Sequence, residues 1–460
     1  MMQFTSLMRL SAMVTRPGRG QMGRDSRGLM TALSISAYAI VQALALAVTA
    51  GVLLFLDRVR RPSNAFQRDF GGSYVSMAIF AGVMLLVPLA SLCVSAARMG
   101  ALRRARRLSI VRMLGASPRD VRVVGVFEAF AQALAGVVIG TGIYLVTLPL
   151  WSPLRFEQES LSTSQMWIGL PGLASVGFAV LVIATASAII GLQRVAISPL
   201  GVARRVDSPA MRRARLVIPA VLIVAWLTGG QVVGQAVPAI AMLVGFSMLA
   251  ALLLAVDAVG PFLVQRLGRV MARRARKAPT LIAGRRLVDD PKATWRAVGT
   301  LSMVCFLASF TAMLPVFASG GSTDADQLAL LADIRNGVWL TLAIAFLLTA
   351  SSTGLGQAAK TLDRIGDARN LAIAGAPAQL LTRVRRREVL VPIGVATVLP
   401  VVVGLAFQFP LIGPLITQRP DMLITLLATL VAGIGLVFAV QECCSPLQTR
   451  LLCEQQRSTD

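Results

Sequence analysis

The chain has 460 residues, 56% of them hydrophobic and only 14% charged, against about 25% charged in a water-soluble domain. That composition excludes an ordinary soluble globule and points to a membrane protein. The formal charge of +24 comes from 45 Lys and Arg against 21 Asp and Glu. These bases fall in short segments between apolar runs, the pattern that orients helices in a bilayer, so a nucleic-acid partner is not expected.

The chain has no histidine, which removes the Ser-His-Asp triad, the His-based metal site and the His proton relay. Cys93 and Cys305 lie in apolar runs and Cys443, Cys444 and Cys453 follow the last one, a distribution that frames neither a metal site nor disulfides. A non-catalytic chain without a metal of its own is expected.

A helix needs roughly 20 mainly apolar residues to cross a bilayer. In chain order the segments 29–56, 74–97, 123–150, 167–192, 217–233, 236–264, 297–318, 337–356, 389–409 and 422–440 meet that length. The expected fold is therefore all-α and polytopic, with about ten transmembrane helices. The first run is much longer than the apolar region of a cleavable signal and is expected to remain as an anchor. All but seven of the 45 basic residues lie before residue 29, in alternate connections or in the tail after residue 441, a distribution from which both termini are expected in the cytoplasm of a cell whose inner membrane holds the protein. Arg58, Arg60, Arg61 and Arg68 are the exception, in the first outside loop. The outside loops 57–73, 151–166 and 319–335 are too short for a folded domain.

An internal repeat stands out. The stretch Arg106-Arg107-Leu108-Ser109-Ile110-Val111-Arg112-Met113-Leu114-Gly115-Ala116-Ser117-Pro118 follows the second span, and Gly366-Asp367-Ala368-Arg369-Asn370-Leu371-Ala372-Ile373-Ala374-Gly375-Ala376-Pro377 follows the eighth. Gly115 and Gly375 are 260 positions apart, as are Glu128 and Glu388. Each copy predicts a basic helical segment, a glycine able to take a left-handed helix terminus, and a new helix. In the first copy Ser117 suits an N-cap, Pro118 the first turn, and Asp120 the positive end of the dipole. The product is a pair of elbows on the inner side of the membrane, joining helices that move as units.

The stretch from Arg106 to Pro118, with Glu128 and the run Ala135-Gly136-Val137-Val138-Ile139-Gly140 after it, resembles the core signature of FtsX-like ABC permeases. Arg112, Leu114, Gly115, Ala116, Glu128 and Gly136 match the pattern, while Arg107 stands where the family carries Glu. In the second copy Gly375, Ala376 and Glu388 match, and Arg369 falls three positions early. The layout resembles the ten-helix bacterial permeases of the bacitracin-export type, without their large outside domain. It implies a cytoplasmic segment 1–28, a first four-helix module 29–205, a central two-helix insert 206–296, a second module 297–441 and a cytoplasmic tail 442–460, a 4+2+4 arrangement. It also implies an ABC ATPase, as a dimer carrying ATP and Mg, docked on the elbows. This chain would hold no cofactor.

The remaining candidates carry simpler expectations. The run Gly354-Leu355-Gly356-Gln357-Ala358-Ala359-Lys360-Thr361 lacks Gly before Lys and ends an apolar helix, so it is no P-loop. Asp257, inside the sixth span, is an intramembrane candidate whose simpler role is pairing with Arg266 or Arg269. Glu128 and Glu388 read as acids at helix beginnings, favoured by the dipole. Gly136 and Gly140 form a small-residue packing face. Glu157, Glu159, Asp324, Asp326 and Asp333 read as solvated loop charge. The leading function is ATP-driven export or extraction of an amphipathic compound, such as an antimicrobial peptide, lipid or hydrophobic drug. The alternatives are a mechanotransmitter that moves no substrate and a secondary transporter.

Overall fold

The computed structural model describes residues 22–113, 118–196, 217, 221–226, 238–313, 325–363, 378–416 and 420–443. Nearly all of them are helical, because a chain in hydrocarbon must satisfy its backbone hydrogen bonds within itself. The helices are α1 (Met22–Arg60), α2 (Ala65–Met113), α3 (Pro118–Thr147), α4 (Gly169–Ala196), α5 (Pro238–Arg273), α6 (Ala278–Asp289), α7 (Pro291–Ser309), α8 (Ala325–Asp363), α9 (Ala378–Ile416) and α10 (Pro420–Cys443). Two strands, β1 (Arg155–Phe156) and β2 (Glu159–Ser160), form a hairpin between α3 and α4.

Seven of these helices are long and apolar enough to span a membrane, over Thr31–Arg60, Ala65–Ala97, Val123–Trp151, Gly169–Ile189, Ser247–Arg273, Ala325–Gly356 and Arg386–Phe409. The apolar parts of α7 and α10, Val298–Ser309 and Leu423–Gly435, are shorter. Most of the expected segment 217–233 lies outside the described residues. Large side chains such as Val138, Val146, Leu170, Phe178 and Leu254 are 65–76% exposed, an arrangement that belongs in lipid and not in water. The chain is a multi-pass, all-α membrane protein.

The chain divides into two compact units, with the boundary between residues 204 and 205. In the first, α1 packs on α2 and α3, and α4 packs on α2 and α3. Tyr38, Gln42, Leu46, Ala50 and Leu54 of α1 are buried at a spacing of four, one helical face. Against it α3 turns Ala129, Ala133, Gly136, Gly140 and Tyr144. A Cβ added at Gly136 would come within 2.9 Å of the Ile35 carbonyl oxygen, and one at Gly140 within 2.7 Å of Gln42 Cβ. Glycine here lets two backbones approach, which is how helices gain contact where lipid supplies no hydrophobic drive.

In the second unit α7 packs on α8 and α9, α8 on α10, and α5 on α6, α7 and α9. The first-to-second, first-to-third and second-to-fourth helix contacts of the first unit thus recur among α7, α8, α9 and α10. Gly404 of α9 sits against α7, where an added Cβ would fall 2.8 Å from Ser309 Cβ. Beside it Gln408 donates through Nε2 to Ser309 Oγ at 3.2 Å. Trp295 of α7, almost fully buried, lies over Gly260 of α5.

The loops at the end of the first unit away from its Arg-rich segments are a folded cap. Arg58, 4% exposed, donates through Nη1 to the Phe156 carbonyl at 2.9 Å and to Glu157 Oε2 at 3.2 Å, and through Nη2 to Gln165 Oε1 at 3.0 Å. Glu159 accepts from Ser63 Oγ at 2.5 Å and from Gln67 Nε2 at 3.3 Å. Glu157 and Glu159 are therefore not solvated loop charges, and Glu157 is fully buried. The hairpin turn holds Glu157 at φ 58 and Gln158 at φ 65, the left-handed pair that Asn-Gly normally supplies. Non-glycine residues there carry strain, and the Arg58–Glu157 pair ties the strained turn to the end of α1. Asp326 and Asp333 lie on α8 instead of in a loop, and Asp324 lies outside the described residues.

Two substitutions test this packing by thermal unfolding in detergent. Gly140→Leu is expected to destabilise by about 3 kcal/mol through overpacking, whereas Gly142→Leu, with nothing within 4 Å of its Cβ, leaves the transition in place. Glu157→Gln is expected to cost about 3 kcal/mol by stranding the buried guanidinium. The double variant with Arg58→Met then costs less than the two single effects added together.

Candidate coupling site

Helix α3 begins at Pro118 and α9 at Ala378, so the 260-residue offset of the sequence repeat extends to where the two helices start. Proline at the first position gives up an N–H that has no intrahelical partner there. Arg106 and Arg112 lie in the last turns of α2. Leu114, Gly115, Ala116 and Ser117 fall outside the described residues, as do Arg369, Gly375, Ala376 and Pro377.

Glu128 and Glu388 do not sit at helix beginnings. Each lies ten residues inside its helix, almost three turns past the start, where the dipole no longer acts. The expectation misplaced the starts because the apolar runs begin at 123 and 389, after a polar first section that is helical as well. Glu128 is half-buried. Glu388 is buried, and its Oε2 lies 3.5 Å from Arg286 Nη1.

That arginine comes from α6, a helix within the basic stretch that follows the sixth apolar segment. It runs Ala278–Asp289 after Lys277, with Pro279 in its first turn. Ala283, Gly284 and Leu287 are buried on one face and Arg285 is exposed on the other, an amphipathic pattern that was present in the residues. Gly284 meets Gly268 of α5: an added Cβ at 284 would stand 2.9 Å from the Gly268 carbonyl oxygen and 2.7 Å from Ala272 N. On its other side α6 meets the foot of α9, through Arg286 to Glu388 and through a hydrogen bond from Arg387 to Thr280 Oγ1. Helix α6 therefore braces the foot of α9 against the Arg-rich end of α5, where Arg266, Arg269, Arg273 and Arg274 are exposed.

Asp257 is placed differently from its expected pairing. Its Oδ1 accepts a 2.7 Å hydrogen bond from the indole Nε1 of Trp295, so the carboxylate fixes α7 on α5 instead of reaching Arg266 or Arg269. Gly136 and Gly140 belong to the α1–α3 contact and lie away from the foot of α3.

The sequence from Ala78 in α2 through α3 and α4 to residue 199 matches the family model of the FtsX-like permease C-terminal domain. No curated protein and no solved structure matches the chain. Over residues 78–199 this multi-pass membrane protein is therefore similar to the FtsX-like permease C-terminal domain.

Proposed function

We propose that the chain is the permease subunit of an ABC transporter in a cell membrane, and that its second unit supplies a second, divergent FtsX-like module together with a central helix pair. A separate ATPase, binding ATP and Mg as a dimer, docks on the elbows around Gly115 and Gly375 at the cytoplasmic face. Its stroke moves α3 and α9, and the chain exports or extracts an amphipathic compound. The observation that carries this reading is the parallel of α3 and α9. They start 260 residues apart, hold an acid ten residues in, and pack on the first helix of their own bundle through a glycine. A family match over α2–α4 supports the first half of the parallel. The α6 brace adds a means of spreading force, because a push on the foot of α9 reaches α5 through Arg286 and Glu388.

The physical requirement is stiffness. An elbow between two helices passes on displacement only if the helices are packed along their length, since close-packed interiors deform little. Both third helices meet that requirement at their glycine contacts.

Purified from native membranes, the full chain is expected to bring with it a soluble ATPase identified by its P-loop peptides. The double variant Gly115→Leu/Gly375→Leu loses that partner. In vesicles holding both proteins, ATP drives movement of a labelled cationic amphiphilic peptide, and Glu388→Gln lowers transport severalfold while ATP hydrolysis continues. Hydrolysis without movement for the unaltered pair assigns the chain to signalling, and transport without any ATPase assigns it to secondary transport.

A further inference from the structure

A cavity of about 350 Å³ opens beside the last two turns of α1, between that helix and the segment 164–168, at the small end of the roughly 300–1,000 Å³ typical of ligand pockets. The candidate span Thr31–Arg60 ends in the cavity's lining, and the end of a spanning helix is where hydrocarbon gives way to headgroups. The lining changes character along α1. Leu53, 44% exposed, and Leu56 form the part nearer the membrane interior, while Asp57, Arg58 and Arg60 form the outer part. Trp167, also 44% exposed, lines the opening, an amphipathic ring at the interface where such rings collect.

The charges in this lining have separate fates. Arg58 is turned inward and engaged by Glu157 and Gln165. Asp57 and Arg60 are both exposed, and among the described residues neither side chain has an ion-pair partner within 4.0 Å. With the Arg58–Glu157 pair balanced, the cavity presents one free negative and one free positive group. That pair complements a ligand bearing both charges and gives a net anion no advantage. The C-terminal end of a helix favours a cation as well, which suits an ammonium at Asp57.

We propose that this cavity holds the headgroup of a zwitterionic phospholipid of the ethanolamine type, its phosphate on Arg60, its ammonium on Asp57, and an acyl chain along Leu53 and Leu56. The site belongs to the first unit alone and is independent of what the chain transports.

Native mass spectrometry of the full chain in detergent tests it, with added phosphatidylethanolamine, phosphatidylglycerol or water-soluble phosphoethanolamine. The unaltered protein is expected to hold phosphatidylethanolamine at least about threefold more tightly than phosphatidylglycerol, the size expected for one partly screened charge contact. Asp57→Asn removes that preference, and Arg60→Gln weakens both lipids by a similar factor. Both side chains are exposed, so each variant keeps the unfolding temperature of the parent, checked in the same detergent. Equal binding of the two lipids, or variants that bind as the parent does, overturns the proposal. Competition by phosphoethanolamine as effective as that by the lipid overturns the lipid as occupant.

Discussion

The contact of the third helix of each bundle with the first is the constraint on which the rest depends. In hydrocarbon, apolar side chains gain nothing by leaving lipid for protein, so association rests on packing and on a few polar contacts. Gly136 and Gly140 bring α3 onto α1, and Gly404 brings α9 onto α7. Buried amides mark both places. Gln42 of α1 lies at 3.4 Å from Thr141 Oγ1, and Gln408 of α9 bonds Ser309 and its own helix. Each amide bonds through its nitrogen in the register observed, so glycine sets the distance and the amide nitrogen favours one register.

Two polar ties, one in each unit, differ in character. At the cap, the turn strained at Glu157 and Gln158 closes over a buried Arg58, tying the end of α1 to the loop between α3 and α4. At the Arg-rich end of the second unit the tie is lighter: Arg286 is partly exposed and meets Glu388 at 3.5 Å, a contact that can loosen and re-form at small cost.

Much of this was legible in the residues. Apolar length located the seven described helices long enough to span a membrane, because bilayer thickness imposes it, and the 260-residue offset of the sequence repeat recurs between the first residues of α3 and α9. The small-residue run from Ala135 to Gly140 marked a close contact, although not its partner α1. What escaped had no local signature. Arg58 looked like an anomalous outside charge because its partner Glu157 is 99 residues away, and the hairpin was invisible because Glu-Gln is not a turn-forming pair. Helix α6 was hidden by the basic composition around it, although the placing of Ala283, Gly284 and Leu287 carried its buried face. Asp257 was given an arginine partner from the same helix when its partner is an indole on α7, a contact that only tertiary packing creates.

The central claim is that the segments before α3 and α9 both receive force from one soluble ATPase. Photo-crosslinking tests it most directly, with a benzophenone amino acid in place of Arg112 in one variant and of Arg369 in another, each expressed in cells of its native host. The account predicts that both positions capture the same ATPase polypeptide, with yields that change when ATP is depleted. Capture from only one of the two positions, or reaction of the two with proteins on opposite sides of the membrane, would contradict it.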